Sequence, residues 1–224
     1  MKPVTVLASG GLDSCVLIAD LARSATVHPL YIKFGLAWES QERYALKRFL
    51  DALPSGTAVE PLSVMEMPVA SVYGHHWSVT GENIPDTRAP DIEVELPGRN
   101  LMLLAGAALW SSMRGVNALA LGSLEGNPFS DASPEFFRQY AECLSTGLAP
   151  HRIEILTPYR HRTKTELIST FPDLPHELSL TCMAPRTDAK GLLHCGACNK
   201  CAERRHAFVA ARLHDSTRYA GTAG

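Results

Sequence analysis

With 224 residues, a formal net charge of −2 and 20% charged residues, the chain is sized for one large α/β domain with a small appendage and gives no global support for a nucleic-acid partner. No run of about 18 apolar residues is present to span a bilayer, and the N-terminus lacks a basic segment followed by an apolar signal stretch, so a soluble, cytoplasmic protein is expected. Six cysteines, four of them in the last quarter, point in such a chain to a metal site rather than to disulfides.

The apolar run 4–8 predicts a strand, Ser9-Gly10-Gly11-Leu12-Asp13-Ser14 a tight turn, and 15–22 a helix. The turn then stands at the carboxyl end of the first strand, where α/β sheets bind ligands. Paired glycines let a ligand approach the backbone, two serines add hydroxyls, and the first amides of the helix lack intrahelical partners, which together make an anion cradle. The spacing matches neither a Walker A loop nor G-x-G-x-x-G. It resembles the PP-loop of the ATP pyrophosphatase superfamily, in which S-G-G-x-D-S holds the pyrophosphate of ATP while the α-phosphate is transferred. The competing explanation is a glycine turn in a nucleotide-free fold.

Residues 27–34 predict a second strand, and 39–53 a helix through Ala45, Leu46, Phe49, Leu50 and Leu53 that stops at Pro54-Ser55-Gly56. Residues 57–64 predict a third strand, so that strands and helices alternate as in a parallel sheet with right-handed crossovers. Periodicity fails over 65–98, a length that suits either a lid or binding loop or a plain surface excursion. His75 and His76 lie there without a partner at metal-ligand spacing and read as ordinary loop histidines.

Arg99 and Asn100 then precede 101–109, apolar all round and so expected as a buried helix. An arginine at a helix amino end opposes the dipole unless an anion is close, although a surface arginine just ahead of a helix is the commoner case. Residues 116–121 predict the fourth strand, and the loop behind it offers Glu125, Phe129 and Asp131 to a polar substrate or to solvent. Ser133-Pro134-Glu135 is a helix start, with cap, proline at the first helical position and an acid favoured by the dipole. Residues 153–156 predict a fifth strand, and Thr157-Pro158 leads to a helix whose Lys164 has the length to reach a phosphate.

Cys182, Cys195, Cys198 and Cys201 have twelve, two and two residues between them. Four soft thiolates satisfy a closed tetrahedral zinc site, with Cys198 and Cys201 three apart on one helix face. C-x-x-C-x-x-C also occurs in iron-sulfur proteins, which is the competing assignment. Cys15 and Cys143, both in predicted helices, are expected in the core.

Taken together, the PP-loop, P-G-R-N at 97–100, T-P at 157–158 before a lysine-bearing helix, and the C-terminal C-x12-C-x-x-C-x-x-C resemble, in that order, the QueC family of 7-cyano-7-deazaguanine synthases. The resemblance implies an adenine nucleotide alpha hydrolase-like fold: a doubly wound, parallel five-stranded sheet forming a PP-loop domain over 1–170, and a zinc-binding helical module over 171–224. It further implies an ATP- and Mg²⁺-dependent ligase, acting as a homodimer, that adenylates 7-carboxy-7-deazaguanine, forms the amide with ammonia, and dehydrates it to the nitrile with a second ATP. By matching position, Ser9, Gly10, Gly11, Asp13 and Ser14 would hold the phosphates, with Asp13 also a magnesium contact. Arg99, Asn100 and Lys164 would complete the polar shell, with Asp13, Ser14, Arg99 and Lys164 carrying the catalysis. The four cysteines would bind Zn²⁺.

Two stretches depart from the family pattern. Phe34-Gly35-Leu36 stands where the family has Y-G-Q, and the loop from Glu125 to Asp131 replaces one ending in P-D-C. The other enzymatic expectations are a paralogue that adenylates a different carboxylate or modifies a macromolecule, and a sulfur-inserting tRNA-modifying enzyme with an iron-sulfur cluster. A nucleotide-binding regulator without catalysis is the non-enzymatic one.

Overall fold

Five parallel strands in the order β3-β2-β1-β4-β5 form the centre of the molecule, which is a computed structural model describing residues 1–221. Strand β1 (Lys2–Leu7) leads through helix α1 (Leu12–Leu21) to β2 (Ala25–Lys33), then α2 (Glu39–Asp51) and β3 (Ser63–Glu66). Two one-turn helices, α3 (Ala70–Tyr73) and α4 (Trp77–Thr80), and a 3₁₀ turn over Asp91–Val94 follow before α5 (Arg99–Ser112). The chain then returns to the sheet as β4 (Ala118–Ala120), α6 (Pro134–Gly147) and β5 (Glu154–Leu156), and continues into α7 (Lys164–Thr170). The last segment holds a hairpin, β6 (Arg186–Asp188) and β7 (Gly191–Leu193), and helix α8 (Asn199–Ala211).

The sheet is doubly wound because its strands are apolar on both faces. Val4 and Val6 of β1 meet Leu12, Val16 and Leu17 of α1, Leu46 and Phe49 of α2, and Leu167 and Ile168 of α7. Residues of opposite parity, such as Leu7, meet Leu104, Ala107 and Ala108 of α5 and Phe137 of α6 on the other face, as the two-residue period of a strand requires. Strand order reverses between β1 and β4, which pair in parallel from Val4 with Ala118 to Val6 with Ala120. Helices leave the carboxyl ends of these two strands in opposite directions, so a crevice opens there.

Several sequence expectations shift. The third strand begins at Ser63 rather than 57, and Val59 makes only an isolated bridge with Val27. Pro61 has no amide to donate to the ladder, so regular pairing resumes beyond it. Helix α5 is not buried all round: Leu104 and Ala107 are sealed, whereas Leu101 and Leu109 are 46% and 55% exposed, because the helix lies on one face of the sheet and only one side meets it. Cys15 is buried as expected, but Cys143 is exposed, on the outward face of α6. Cys198 caps α8 rather than lying within it, with extended backbone at φ −92° and ψ 162°. The long span 65–98 is ordered into the three short turns named above, and the β6–β7 hairpin carries the chain from Cys182 back to Cys195. The cap at Ser133 forms as read, its hydroxyl accepting from the Phe136 amide at 3.1 Å.

Candidate active site

The crevice contains two adjoining cavities of about 220 and 310 Å³ that meet at Ser9, Gly11, Asp13, Glu42, Arg99 and Asn100. Every phosphate-shell residue named from sequence except Gly10 lines one or both of them. Gly10 turns at φ +77°, and a Cβ there would fall 2.6 Å from the carbonyl oxygen of Glu42, so only glycine lets the turn rest on α2. Gly122, beyond β4, passes so near the start of α1 that a Cβ would sit 3.0 Å from the backbone carbonyl carbon of Asp13. These approaches bring α1, α2 and β4 together around one small space.

Within the turn, the Ser9 and Ser14 hydroxyls lie 3.1 Å apart, the Gly11 amide donates to Ser9 Oγ at 3.2 Å, and Ser14 Oγ donates to the Gly11 carbonyl at 3.0 Å. No side chain caps α1, so its first amides stay open to an anion. The Leu180 amide donates to the Gly10 carbonyl at 2.8 Å, tying the turn to the stretch that carries Cys182.

Asp13 Oδ2 is 3.4 Å from Lys164 Nζ, while its Oδ1 is buried with no hydrogen-bond partner among the described residues. Burial pushes the Asp13 carboxyl up, and Lys164 pulls against that. Lys164 is buried, and burial alone would lower its ammonium; Asp13 and Glu203 outweigh this and raise it, so the charge is kept. A capping box holds the base of this lysine, with Thr163 Oγ1 accepting from the Glu166 amide and the Glu166 carboxylate accepting from the Thr163 amide.

Asn100 and Asp131, read separately from the sequence, are brought together. The Asp131 carboxylate accepts from the Asn100 amide at 2.8 Å and from its Nδ2 at 3.2 Å, and the Asp131 carbonyl accepts from Nδ2 as well. The loop behind β4 is thereby fastened to the amino end of α5, which meets its first unpaired amides with a carboxylate. Arg99 beside them has a buried Nε without a partner among the described residues. Glu125 and Phe129 line the outer cavity without a hydrogen bond to its phosphate-side residues among the described contacts.

Other cavity residues escaped the sequence reading. Glu42 is buried and accepts from the Tyr31 hydroxyl at 2.7 Å and from Trp38 Nε1 at 3.0 Å. Burial pushes its carboxyl up to about 7, with Arg99, Tyr31 and Trp38 opposing. Glu39, likewise buried, accepts from the Phe34 amide. Trp38 and Trp77 stack with centroids 5.6 Å apart and planes at 15°, forming one wall of the outer cavity. Lys200 and Glu203 of α8 line the same cavity. One signal was present: Glu42 stands three, four and seven residues before Ala45, Leu46 and Phe49, and so lies on the apolar stripe of α2.

The four cysteine sulfurs all lie within 4.8 Å of one another, and Cys195 and Cys201 are 3.9 Å apart. A tetrahedral ion with Zn–S bonds of about 2.3 Å needs sulfur separations of about 3.8 Å, so the set fits one such ion. Backbone amides already point at the sulfurs: Cys195 and Ala184 donate to Cys182 Sγ at 3.1 and 3.3 Å, and Ala197 to Cys195 Sγ at 3.4 Å. Donors of this kind favour thiolates, the form that binds metal.

The family model described as "Queuosine biosynthesis protein QueC" matches residues 3–212. The chain belongs to the QueC family. Among curated QueC-like relatives, the 7-cyano-7-deazaguanine synthase of Thiobacillus denitrificans is 30% identical over 98% of this chain and 100% of its own length. That of Methylococcus capsulatus is 29% identical over 98% and 99%, and that of Methanocaldococcus jannaschii 26% identical over 98% and 99%. The match therefore runs through the turn, the loop behind β4 and the cysteines alike. Among the described residues, no helix is long and apolar enough to cross a membrane.

Proposed function

We propose that this QueC-family chain is an ATP-dependent 7-cyano-7-deazaguanine synthase, a carbon-nitrogen ligase that activates a carboxylate by adenylation. The observation that carries the reading is the joining, in one crevice, of an uncapped glycine turn, an acid with a free buried oxygen, and a buried charged lysine. A carboxylate oxygen attacks the α-phosphorus of ATP and pyrophosphate leaves. Ammonia adds to the activated carbonyl carbon, and AMP departs with the oxygen, leaving the amide. The amide oxygen then attacks the α-phosphorus of a second ATP and pyrophosphate leaves, after which AMP departs with that oxygen and two protons are lost, giving the nitrile.

The chain's own groups supply the charge this chemistry needs. The amides at the start of α1, with Ser9, Gly10, Gly11 and Ser14, hold the departing pyrophosphate, and Lys164 and Arg99 offset negative charge at the transferred phosphate. Asn100, held by Asp131, orients the same shell, so Asp131 acts through Asn100 rather than on the substrate. The inner cavity, walled by Leu7, Leu30, Ile32, Phe34 and Leu36, suits the adenine base. Glu125, Phe129 and the Trp38–Trp77 stack bound the space left for a flat carboxylate substrate. Seven acids line the two cavities (Asp13, Glu39, Glu42, Asp91, Glu125, Asp131 and Glu203) against three fixed cations (Arg99, Lys164 and Lys200). Polyanionic ATP in such a place needs a cation, and Mg²⁺ held by Asp13 would supply positive charge to the phosphates.

The cysteines we assign to structural Zn²⁺. A closed set of four thiolates leaves no position for water, and its compactness favours a single ion over a cluster whose cysteines sit on separate irons. Residues 1–170 and 171–224 form, in this reading, the nucleotide domain and a zinc module that closes over it. The protein works in the cytoplasm as a homodimer. Incubation with 7-carboxy-7-deazaguanine, ATP, Mg²⁺ and ammonium should give the nitrile and two AMP per turnover; folded, zinc-loaded protein that releases no AMP with this substrate would refute the assignment.

A further inference from the structure

Helix α8 turns a charged face to the cavity that has no part in metal ligation. Glu203 divides its two carboxylate oxygens between two ammonium groups: Oε1 is 2.9 Å from Lys164 Nζ, and Oε2 is 3.0 Å from Lys200 Nζ. Lys164 is also 3.4 Å from Asp13 Oδ2, and Lys200 is 3.5 Å from Asp91 Oδ1. The row Asp13–Lys164–Glu203–Lys200–Asp91 thus alternates in sign from the phosphate turn to the cavity rim.

Its middle member is fixed from several sides. Glu203 lies one turn beyond Asn199, whose Nδ2 donates to the Ala89 carbonyl at 2.7 Å and whose amide donates to the Pro85 carbonyl at 3.1 Å. Next along the helix, Arg204 is wholly buried and donates to Thr217 Oγ1, Ser179 Oγ and the His176 carbonyl at 2.9, 3.0 and 2.6 Å. The backbone carrying Glu203 therefore has little freedom. Lys164, by contrast, is a long flexible side chain with two acids within reach. Its shorter contact is to Glu203, and Asp13 keeps one oxygen unpartnered. Were Glu203 neutral, Asp13 would be the one full negative charge left beside the buried ammonium among the contacts described, and a desolvated charge pairs with whatever opposite charge remains.

We propose that Glu203 is a positioning residue: it draws Lys164 away from Asp13, so that the lysine can meet a phosphate and the aspartate stays available to the cation that accompanies it. Lys200 holds Glu203 in place from the solvent side. The inference rests on the reading that the crevice takes ATP, and it makes α8 part of the nucleotide site as well as the carrier of two thiolates.

Calorimetric titration of the full-length, zinc-loaded protein with MgATP tests it in four forms: native, Glu203→Gln, Lys164→Met and the double variant. Zinc content and melting temperature are measured on each. Glu203→Gln should weaken ATP binding by about tenfold, the size of one charge-assisted contact, while Glu203→Asp recovers most of the loss. In the Lys164→Met background the same change should have no effect, because the group that Glu203 positions is gone. Equal weakening in both backgrounds, or native affinity in Glu203→Gln, overturns the proposal while leaving the ATP reading intact. Native protein that fails to bind MgATP overturns both. If Glu203→Gln does not retain zinc, Lys200→Gln at the partly exposed rim carries the same cycle, with about a threefold weakening expected that vanishes without Lys164.

Discussion

Two helix starts dominate this molecule, and they differ in what makes them work. At α1 the turn Ser9–Ser14 is mostly local: its glycines, hydroxyls and free amides are neighbours in sequence, and its serine hydrogen bonds span five residues or fewer. The Leu180 amide on the Gly10 carbonyl and Lys164 beside Asp13 are its ties to distant parts. At α8 the first turn functions only through distant parts. Cys198 and Cys201 need Cys182 and Cys195, Asn199 needs Pro85 and Ala89, and Glu203 needs Lys164. The first start is a local motif whose amides no side chain caps, and the second is a hub that holds other segments in place. Substitutions of the polar groups in the α1 turn should therefore cost activity, and those of the thiolates at the start of α8 should cost structure first.

Cys198→Ala is the harshest test of that division. A structural zinc contributes about 10 to 16 kcal/mol in small peptides, comparable to the net stability of a domain. We expect loss of the metal and of cooperative melting in the last quarter of the chain, read by metal analysis and calorimetry. Full zinc occupancy with unchanged melting would erase the contrast.

Asp13→Ala, at the other start, should lower turnover by about a thousandfold, in the range of losing one preorganised charge contact in a phosphoryl-transfer site. Lys164 keeps Glu203 as its partner in that variant, so melting should stay close to native. Unfolding of Asp13→Ala would show that the turn is structural too.

A pH dependence separates the two regions further. Glu42 sits under the phosphate turn with a carboxyl pushed up by burial to about 7 from an unfolded value near 4.5. The folded state then holds a proton that the unfolded chain has released, so this group's contribution is complete below about pH 4.5 and disappears as pH rises through 7. The loss amounts to about 3 kcal/mol over that window. Denaturant melts from pH 5 to 8 should show the decline in native protein and a flatter profile in Glu42→Gln.

The smallest expected effect is at Gly10. Alanine there combines a positive φ with a contact 2.6 Å from the Glu42 carbonyl oxygen, costing about 1 to 3 kcal/mol of stability. Because α2 would be displaced from the turn, ATP affinity should fall as well. A Gly10→Ala protein of native stability and affinity would mean that the turn does not need its support from α2.

What could be read from the sequence follows the same line. The turn, the thiolate spacing and the cap at Ser133 were legible because each is written in consecutive or near-consecutive residues. The strand and helix order was legible from periodicity, although Pro61 displaced the third strand and the one-sided packing of α5 left its outer leucines exposed. Glu42, Lys200 and Glu203 were not, since an acid or a lysine on a helix reads as solvated until tertiary packing buries it. Asn100 and Asp131 were each visible, 31 residues apart, but not as partners. Folding was needed to show that one supports the other. Phe34 and Leu36, read as departures from Y-G-Q, prove to wall the inner cavity.

In the proposed reaction the carboxylate attacks the α-phosphorus in the crevice between β1 and β4. Turnover of 7-carboxy-7-deazaguanine labelled with ¹⁸O in both carboxylate positions, followed by mass spectrometry of the nucleotide products, tests it directly. Each AMP released should carry one ¹⁸O, the first from the activated acid and the second from the amide oxygen. Label found in inorganic phosphate with ADP, or unlabelled AMP beside product, would contradict it.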